Sequence, residues 1–395
     1  MASSSGSWQG RARRLALLLA LGASLLGAAA PRAERLPRLP ALGLAADGVT
    51  VSGLSSGGYM AGQFHVAFSG SLAGAAVLAG GPYGCSRGSV STAMYNCSCP
   101  ANPGALQQWL NRVPGAGCGL LAPSVLAVFA DAALEANRAE VDDSRQLARQ
   151  RVWLFSGGRD EVVRAPLVDA VESFYLRHGV AAANLHHERV ADAAHGLPAP
   201  GAPVACNRTA TPYLTRCPGT DAAGELLAWL YGAQPGLALQ PPAAARAAGL
   251  RRFSQLPYRR PGVFDGLDDS GWLYLPAGCE QAGAACGLHV VFHGCGQGQR
   301  AIGPRGKPIA RRFVTGAGYN RWAEANRIVV LYPQVLASTA ARSGDTFRLN
   351  PEGCWDFWGY TDADESLAGP RFARRSAPQL QAVKRMVDDL LRPAP

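Results

Sequence analysis

The sequence predicts an α/β protein, with a mostly parallel sheet covered by helices on both faces. Three observations carry that expectation. Short apolar runs of strand length recur along the chain, several of them closed by Gly or Pro, and stretches with helical spacing lie between them. Apolar residues make up 48% of the 395 positions and charged ones 17%, with mean hydropathy near zero, which supplies a large packed core and excludes a mainly disordered chain. The 47 Gly and 28 Pro follow no period, which excludes a collagen-like array, and no internal repeat of solenoid or propeller length is visible.

The chain begins with Arg11, Arg13 and Arg14, an apolar run from Leu15 to Leu26, and the small residues Gly27-Ala28-Ala29-Ala30. That order predicts a secretory signal peptide over residues 1–30. The run is shorter than the ~18 apolar residues of a membrane-spanning helix, so no membrane attachment is expected after cleavage; an uncleaved anchor is the alternative. Cleavage would leave residues 31–395 and lower the net charge from +10 to about +7. Export to the periplasm or the medium also suits ten cysteines. The remaining positive charge, including the arginine pairs at 251–252, 259–260 and 311–312, reads as solvated surface. No nucleic-acid module is recognisable, so no nucleic-acid partner is expected.

In the mature chain Gly48 to Ser52 reads as a strand followed by a glycine-rich turn. Met60, Phe64 and Phe68 then mark one face of a helix. Further strands are expected at Ala75 to Ala79, Arg151 to Phe155 and Leu185 to Val190, and a helix at Glu225 to Tyr231. Residues 236–262 lose periodicity and read as a surface connection or a linker. Strands resume at Gly271 to Leu275, Leu288 to Phe292 and Ile328 to Tyr332, with a helix at Tyr319 to Asn326. A closing helix from Pro378 to Leu391 carries Leu380, Val383, Met386, Val387 and Leu390 on one face.

Gly53-Leu54-Ser55-Ser56-Gly57 matches G-x-S-x-G between a strand and a helix, the context in which that motif forms a nucleophile elbow. Small residues two positions either side of Ser55 let helix and strand approach, and the helix start aims N–H groups at the site. A serine nucleophile needs a base, and the base an orienting carboxylate, following in chain order. Asp160 directly follows a strand in Ser156-Gly157-Gly158-Arg159-Asp160 and is the candidate acid. His195, in a loop beyond the next strand, is the candidate base. Phe292-His293-Gly294-Cys295-Gly296-Gln297 has the His-Gly character of a loop donating the second oxyanion N–H, yet it follows the serine by about 240 residues instead of preceding it. Too few residues precede Ser55 for the strands that normally come first, and those strands stand at the far end of the chain. The fold expected is therefore a circularly permuted α/β-hydrolase, a single domain over 31–395 in which 236–262 is the bridge.

The elbow G-L-S-S-G-G-Y-M-A, the F-H-G-C-G-Q loop and N-P-E-G-C-W-D-F-W-G-Y at 350–360 together resemble the exported, circularly permuted poly(3-hydroxybutyrate) depolymerases over nearly the whole mature chain. The resemblance implies a serine carboxylesterase acting on short-chain polyhydroxyalkanoate or its oligoesters without metal or organic cofactor. By motif position it implies Ser55, Asp160 and His195 as the triad, the backbone N–H groups of Ser56 and Cys295 as the oxyanion hole, and Trp355 and His293 beside the substrate. A separate substrate-binding domain of the kind many relatives carry is not recognisable, and a monomer is expected. An esterase for feruloyl, acetyl-xylan or other small esters, and a catalytically silent binding protein on the same fold, remain alternatives. Cys279 with Cys286, Cys206 with Cys217, and Cys295 with Cys354 could form disulfides. The pairing of Cys85, Cys97, Cys99 and Cys118 stays open, and Cys97-x-Cys99 lacks the second pair that zinc spacing requires.

Overall fold

The computed structural model describes residues 36–100, 104–110, 113, 117–119, 121–232, 239–281, 284–338, 348–362 and 371–394. The expected signal peptide lies outside them. The chain divides into Met1–Leu36 and Pro37–Pro395, and every element below belongs to the second unit.

Strand β1 (Val49–Leu54) leads into helix α1 (Ser56–Ala67), followed by β2 (Gly74–Leu78). Helices α2 (Val90–Tyr95), α3 (Ala105–Leu110) and α4 (Pro123–Ala136) come next, then β3 (Arg151–Gly157), α5 (Ala165–Arg177) and β4 (Leu185–Val190). Three short strands, β5 (Leu197–Pro198), β6 (Val204–Ala205) and β7 (Leu214–Arg216), precede α6 (Ala222–Tyr231). The last part holds β8 (Leu250–Ser254), β9 (Ser270–Tyr274), β10 (Gly287–Phe292), α7 (Arg312–Gly316), α8 (Tyr319–Asn326), β11 (Ile328–Tyr332) and α9 (Pro378–Leu391).

Eight strands form one sheet in the order β4-β3-β2-β1-β10-β11-β9-β8. Only β9 runs against the others, so the sheet is mostly parallel. β1, β2 and β11 are buried along their whole length, as parallel strands covered on both faces must be. The two edge strands are polar instead, with Glu188 and Arg189 in β4 and Arg251 and Arg252 in β8, which discourages pairing with another chain. Proline at the first turn starts α4, α5 and α9, where its missing N–H costs nothing. The apolar stripe of α9 is buried as its spacing predicts.

The stretch 236–262 is more than a connection, since its residues 250–254 are the edge strand β8, hydrogen-bonded along β9. Its two adjacent arginines break the alternation by which a strand is recognised. Read from β8, the chain visits β9, β10 and β11 and ends in α9, next to the segment that opens β1. Leu42 N–H donates to Leu390 O at 3.3 Å and Gly43 N–H to Arg392 O at 2.8 Å. From β1 the chain continues outward through β2, β3 and β4.

Candidate active site

Parallel register fixes where the candidate residues emerge. Leu54, Leu78 and Phe155 stand level across β1, β2 and β3, so the elbow after β1 and the acid loop after β3 leave the same end of the sheet. Ser55 caps α1 with φ 59° and ψ −123°, a conformation that non-glycine residues adopt where the surroundings impose it. The motif glycines have a steric cause. A Cβ on Gly57 would lie 2.2 Å from Phe292 O and 2.5 Å from His293 O, and one on Gly53 would lie 2.1 Å from Gly57 O. The elbow is thus pressed against both its own strand and the loop leaving β10.

Asp160 and His195 are brought together as expected. The Asp160 carboxylate accepts the Nδ1–H of His195 through Oδ2 at 2.8 Å, while Oδ1 accepts the Val162 and Val163 N–H groups, each at 2.8 Å. Both residues are buried, at 5% and 4% exposure. A carboxylate only accepts, so Nε2 of His195 keeps its lone pair, the tautomer a general base needs. Glycines again make the approach possible: a Cβ on Gly157 would fall 2.3 Å from Ala193 O and one on Gly158 2.4 Å from Ala191 O. The base loop is fastened from its far side by Ala194 N–H to Cys206 O at 2.8 Å and His195 N–H to Thr209 Oγ1 at 3.1 Å. Ser55 Oγ itself has no hydrogen-bond partner among the described residues. Contacts of this kind commonly tighten only when substrate is bound.

The oxyanion loop abuts the elbow. A Cβ on Gly294 would sit 3.2 Å from Leu54 O and 3.4 Å from Ser55 Cβ. The Ser56 N–H is at the start of α1, where no carbonyl one turn back can receive it. The Cys295 N–H also lacks a partner among the described residues. Cys295 is joined to Cys354 by a disulfide, and the Trp355 N–H next to Cys354 donates to Ser56 Oγ at 3.3 Å. All three disulfides proposed from the sequence are present, and the open four cysteines pair as Cys85–Cys97 and Cys99–Cys118.

His293, expected beside the substrate, has both ring nitrogens engaged within the protein. It is fully buried, with Nδ1 2.8 Å from Gly294 O and Nε2 accepting the Val335 N–H at 3.3 Å, so neither ring nitrogen is free for a ligand. Trp355 is also fully buried, its ring packed on Phe292 and His293 at centroid separations of 5.0 and 5.8 Å. Its Nε1–H is buried without a partner among the described residues. Two features escaped the sequence. Gln297 accepts the Gly294 N–H at 2.6 Å and donates to Pro212 O at 2.8 Å. Tyr213, at φ 56°, makes a T-shaped contact with the His195 ring, centroids 6.2 Å apart. The Gln297 position was legible as part of a motif, but nothing in the sequence marks Tyr213.

Asp169, Glu172 and His187 lie close enough together to hold an ion, yet Arg189 already occupies both carboxylates, at 3.0 and 2.6 Å. Cys97 and Cys99 are both spent in disulfides. No described helix is long and apolar enough to cross a membrane.

No family model matches the chain. A poly(3-hydroxybutyrate) depolymerase of Delftia acidovorans is 35% identical over 352 residues, 89% of this chain. The chain spans only 61% of that relative's length. A polyhydroxybutyrate depolymerase of Talaromyces funiculosus is 30% identical over 364 residues, covering 90% of this chain and 93% of the relative. Among solved structures, a PHB depolymerase complexed with an R3HB trimer has a TM-score of 0.70 at 27% identity, over 90% of this chain and 98% of the other. The crystal structure of PHB depolymerase from Penicillium funiculosum has a TM-score of 0.69 at 28% identity, with the same coverage.

Proposed function

The chain belongs to the poly(3-hydroxybutyrate) depolymerase family, and from that premise we propose that it is a serine esterase cleaving poly(3-hydroxybutyrate) through an acyl-enzyme. The observation that carries the reading is the buried Asp160–His195 pair leaving the same end of the sheet as a strained serine elbow. His195 Nε2 takes the proton of Ser55 as Oγ attacks the ester carbonyl. Asp160 holds the resulting imidazolium in place. The N–H groups of Ser56 and Cys295 receive the oxyanion, and His195 returns the proton to the departing alkoxide. Water, activated by the same histidine, then releases the hydroxyacid end. A substrate oxygen reaching the unpaired Nε1–H of Trp355 would complete that buried donor.

Five disulfides support an exported enzyme, secreted or periplasmic; it is taken to work as a monomer once residues 1–30 are removed. The contact between the end of α9 and residues 42–44 supports circular permutation, because joining those ends would give a chain that crosses the sheet from β8 to β4 in order except that β10 and β11 exchange places. The test is product analysis on amorphous poly(3-hydroxybutyrate), with short p-nitrophenyl esters in parallel. Release of hydroxybutyrate units by the native enzyme and a loss of ~10⁴–10⁶ in Ser55→Ala are expected. A folded Ser55→Ala enzyme with full activity sinks the mechanism. Turnover of small esters alone redirects the substrate assignment.

A further inference from the structure

The peptide unit that carries the Cys295 N–H also carries the Gly294 carbonyl, and in a trans peptide the two point in opposite directions. Whatever grips the carbonyl therefore aims the amide. His293 Nδ1 lies 2.8 Å from Gly294 O, and the Val335 N–H approaches Nε2 at 3.3 Å. A backbone N–H can only donate, so Nε2 holds a lone pair and Nδ1 holds the proton it gives to Gly294 O. Burial pushes the imidazole down to about 4, which keeps it neutral and in this donor–acceptor arrangement near neutral pH. The ring sits in a close slot, for a Cβ on Gly298 would lie 3.2 Å from its Cε1. The preceding peptide is fixed too, since the Gly294 N–H donates to Gln297 Oε1 at 2.6 Å and Gln297 Nε2 donates onward to Pro212 O at 2.8 Å. Both polar groups of Gly294 are thus held, next to Ser55, while the Cys295 N–H stays unpaired among the described residues.

We infer that His293 and Gln297 are positioning residues that aim the Cys295 N–H at the oxyanion, touching no substrate themselves. This rests on the Cys295 donor reading above. Loss of the His293 grip lets the Gly294–Cys295 peptide rotate, and the donor with it. The effect falls on the transition state, where the donor acts, and not on ground-state binding.

The experiment compares the native enzyme with His293→Leu, His293→Asn, Gln297→Met and Ser55→Ala on a soluble p-nitrophenyl ester, with thermal midpoints and inhibition by a phenylboronic acid that forms a tetrahedral adduct on serine. His293→Leu should lower kcat by ~10²-fold with KM changed less than about threefold, and weaken boronate inhibition in parallel. His293→Asn, whose amide N–H can reach the Gly294 carbonyl, should recover at least about tenfold of that loss, and Gln297→Met should cost about tenfold in kcat. A folded His293→Leu enzyme with native kcat, a loss confined to KM, or no recovery in His293→Asn overturns the inference. Should His293→Leu fail to fold, native kcat in Gln297→Met overturns it instead. Full activity in Ser55→Ala is a separate result, which removes the serine mechanism itself.

Discussion

The site has two sides built by different means. On the proton side, Asp160 and His195 are 35 residues apart; their loops also touch backbone to backbone, but the functional contact is one side-chain hydrogen bond. On the donor side, the elbow and the oxyanion loop are separated by most of the chain and meet through backbone pressed on backbone, with Gly57 against Phe292 and His293 carbonyls. The first can be altered by exchanging a functional group. The second offers no functional group to exchange, because a backbone N–H survives every substitution. Its chemistry is reachable only through what holds it.

The largest contrast comes from Asp160→Asn. The amide keeps the size of the carboxylate but can present N–H to Nδ1, which favours the wrong tautomer of His195. A fall of ~10⁴ in kcat with the thermal midpoint nearly kept is expected. Steady-state kinetics and a melting curve decide it, and a loss below tenfold would remove Asp160 from the triad. Gly57→Ala breaks the other side sterically. Its Cβ would meet Phe292 O at 2.2 Å, so β10 and its loop must retreat from the elbow or the protein must unfold. If soluble protein is recovered, ~10²–10³ in kcat should be lost through displaced oxyanion donors. A fully active, stable Gly57→Ala enzyme would contradict the close approach.

The two sides also differed in how far the sequence revealed them. Gly53 and Gly57 are spaced as a close approach demands, so the elbow was legible from sterics. Asp160 and His195 were legible from chain order and from the glycines after β3. The motif put His293 in the loop after β10 but could not show that its ring bonds Gly294 O and the Val335 N–H, because a motif indicates which loop a residue occupies and not which way its ring turns. The motif likewise placed Trp355 near the site without showing that its ring packs on Phe292 and His293 in the core and leaves its Nε1–H unpaired among the described residues. β8 was hidden by Arg251 and Arg252, and the sheet of β5, β7 and β6 by strands of two and three residues, too short to carry a period.

Acid should weaken the fold through three buried histidines. His65 in α1, His289 in β10 and His293 are buried and held neutral, pushed down to about 4, about 3 and about 4 by desolvation. Their folded values lie below the ordinary value near 6.5, so the unfolded chain binds more protons between there and about 4. Stability is then full above about 6.5 and falls as pH drops through that window. By pH 5 each contributes a loss of about 2 kcal/mol, roughly thirtyfold in the folding equilibrium. Denaturant unfolding at pH 7 and pH 5 measures it. Stability unchanged over that range would mean that these imidazoles are not buried neutral.

The smallest catalytic effect expected is that of the Cys295–Cys354 disulfide, although it touches the donor residue itself. The bridge fastens the Cys295 side chain to the Trp355 segment, whereas the direction of the Cys295 N–H is set by the groups that grip Gly294, whose carbonyl shares a peptide unit with that N–H. Removing the bridge in a Cys295→Ser, Cys354→Ser double variant frees a loop of 59 residues in the unfolded chain, which should cost about 2–4 kcal/mol of stability. Yet kcat measured well below the new melting temperature should change by no more than about threefold, because the hydrogen bonds to Gly294 remain. A folded double variant that loses ~10²-fold in kcat would assign the aiming of the donor to the disulfide. Native kcat with a lowered melting temperature would divide the labour as the geometry does, with covalent bonding serving stability and a neutral, buried imidazole serving direction.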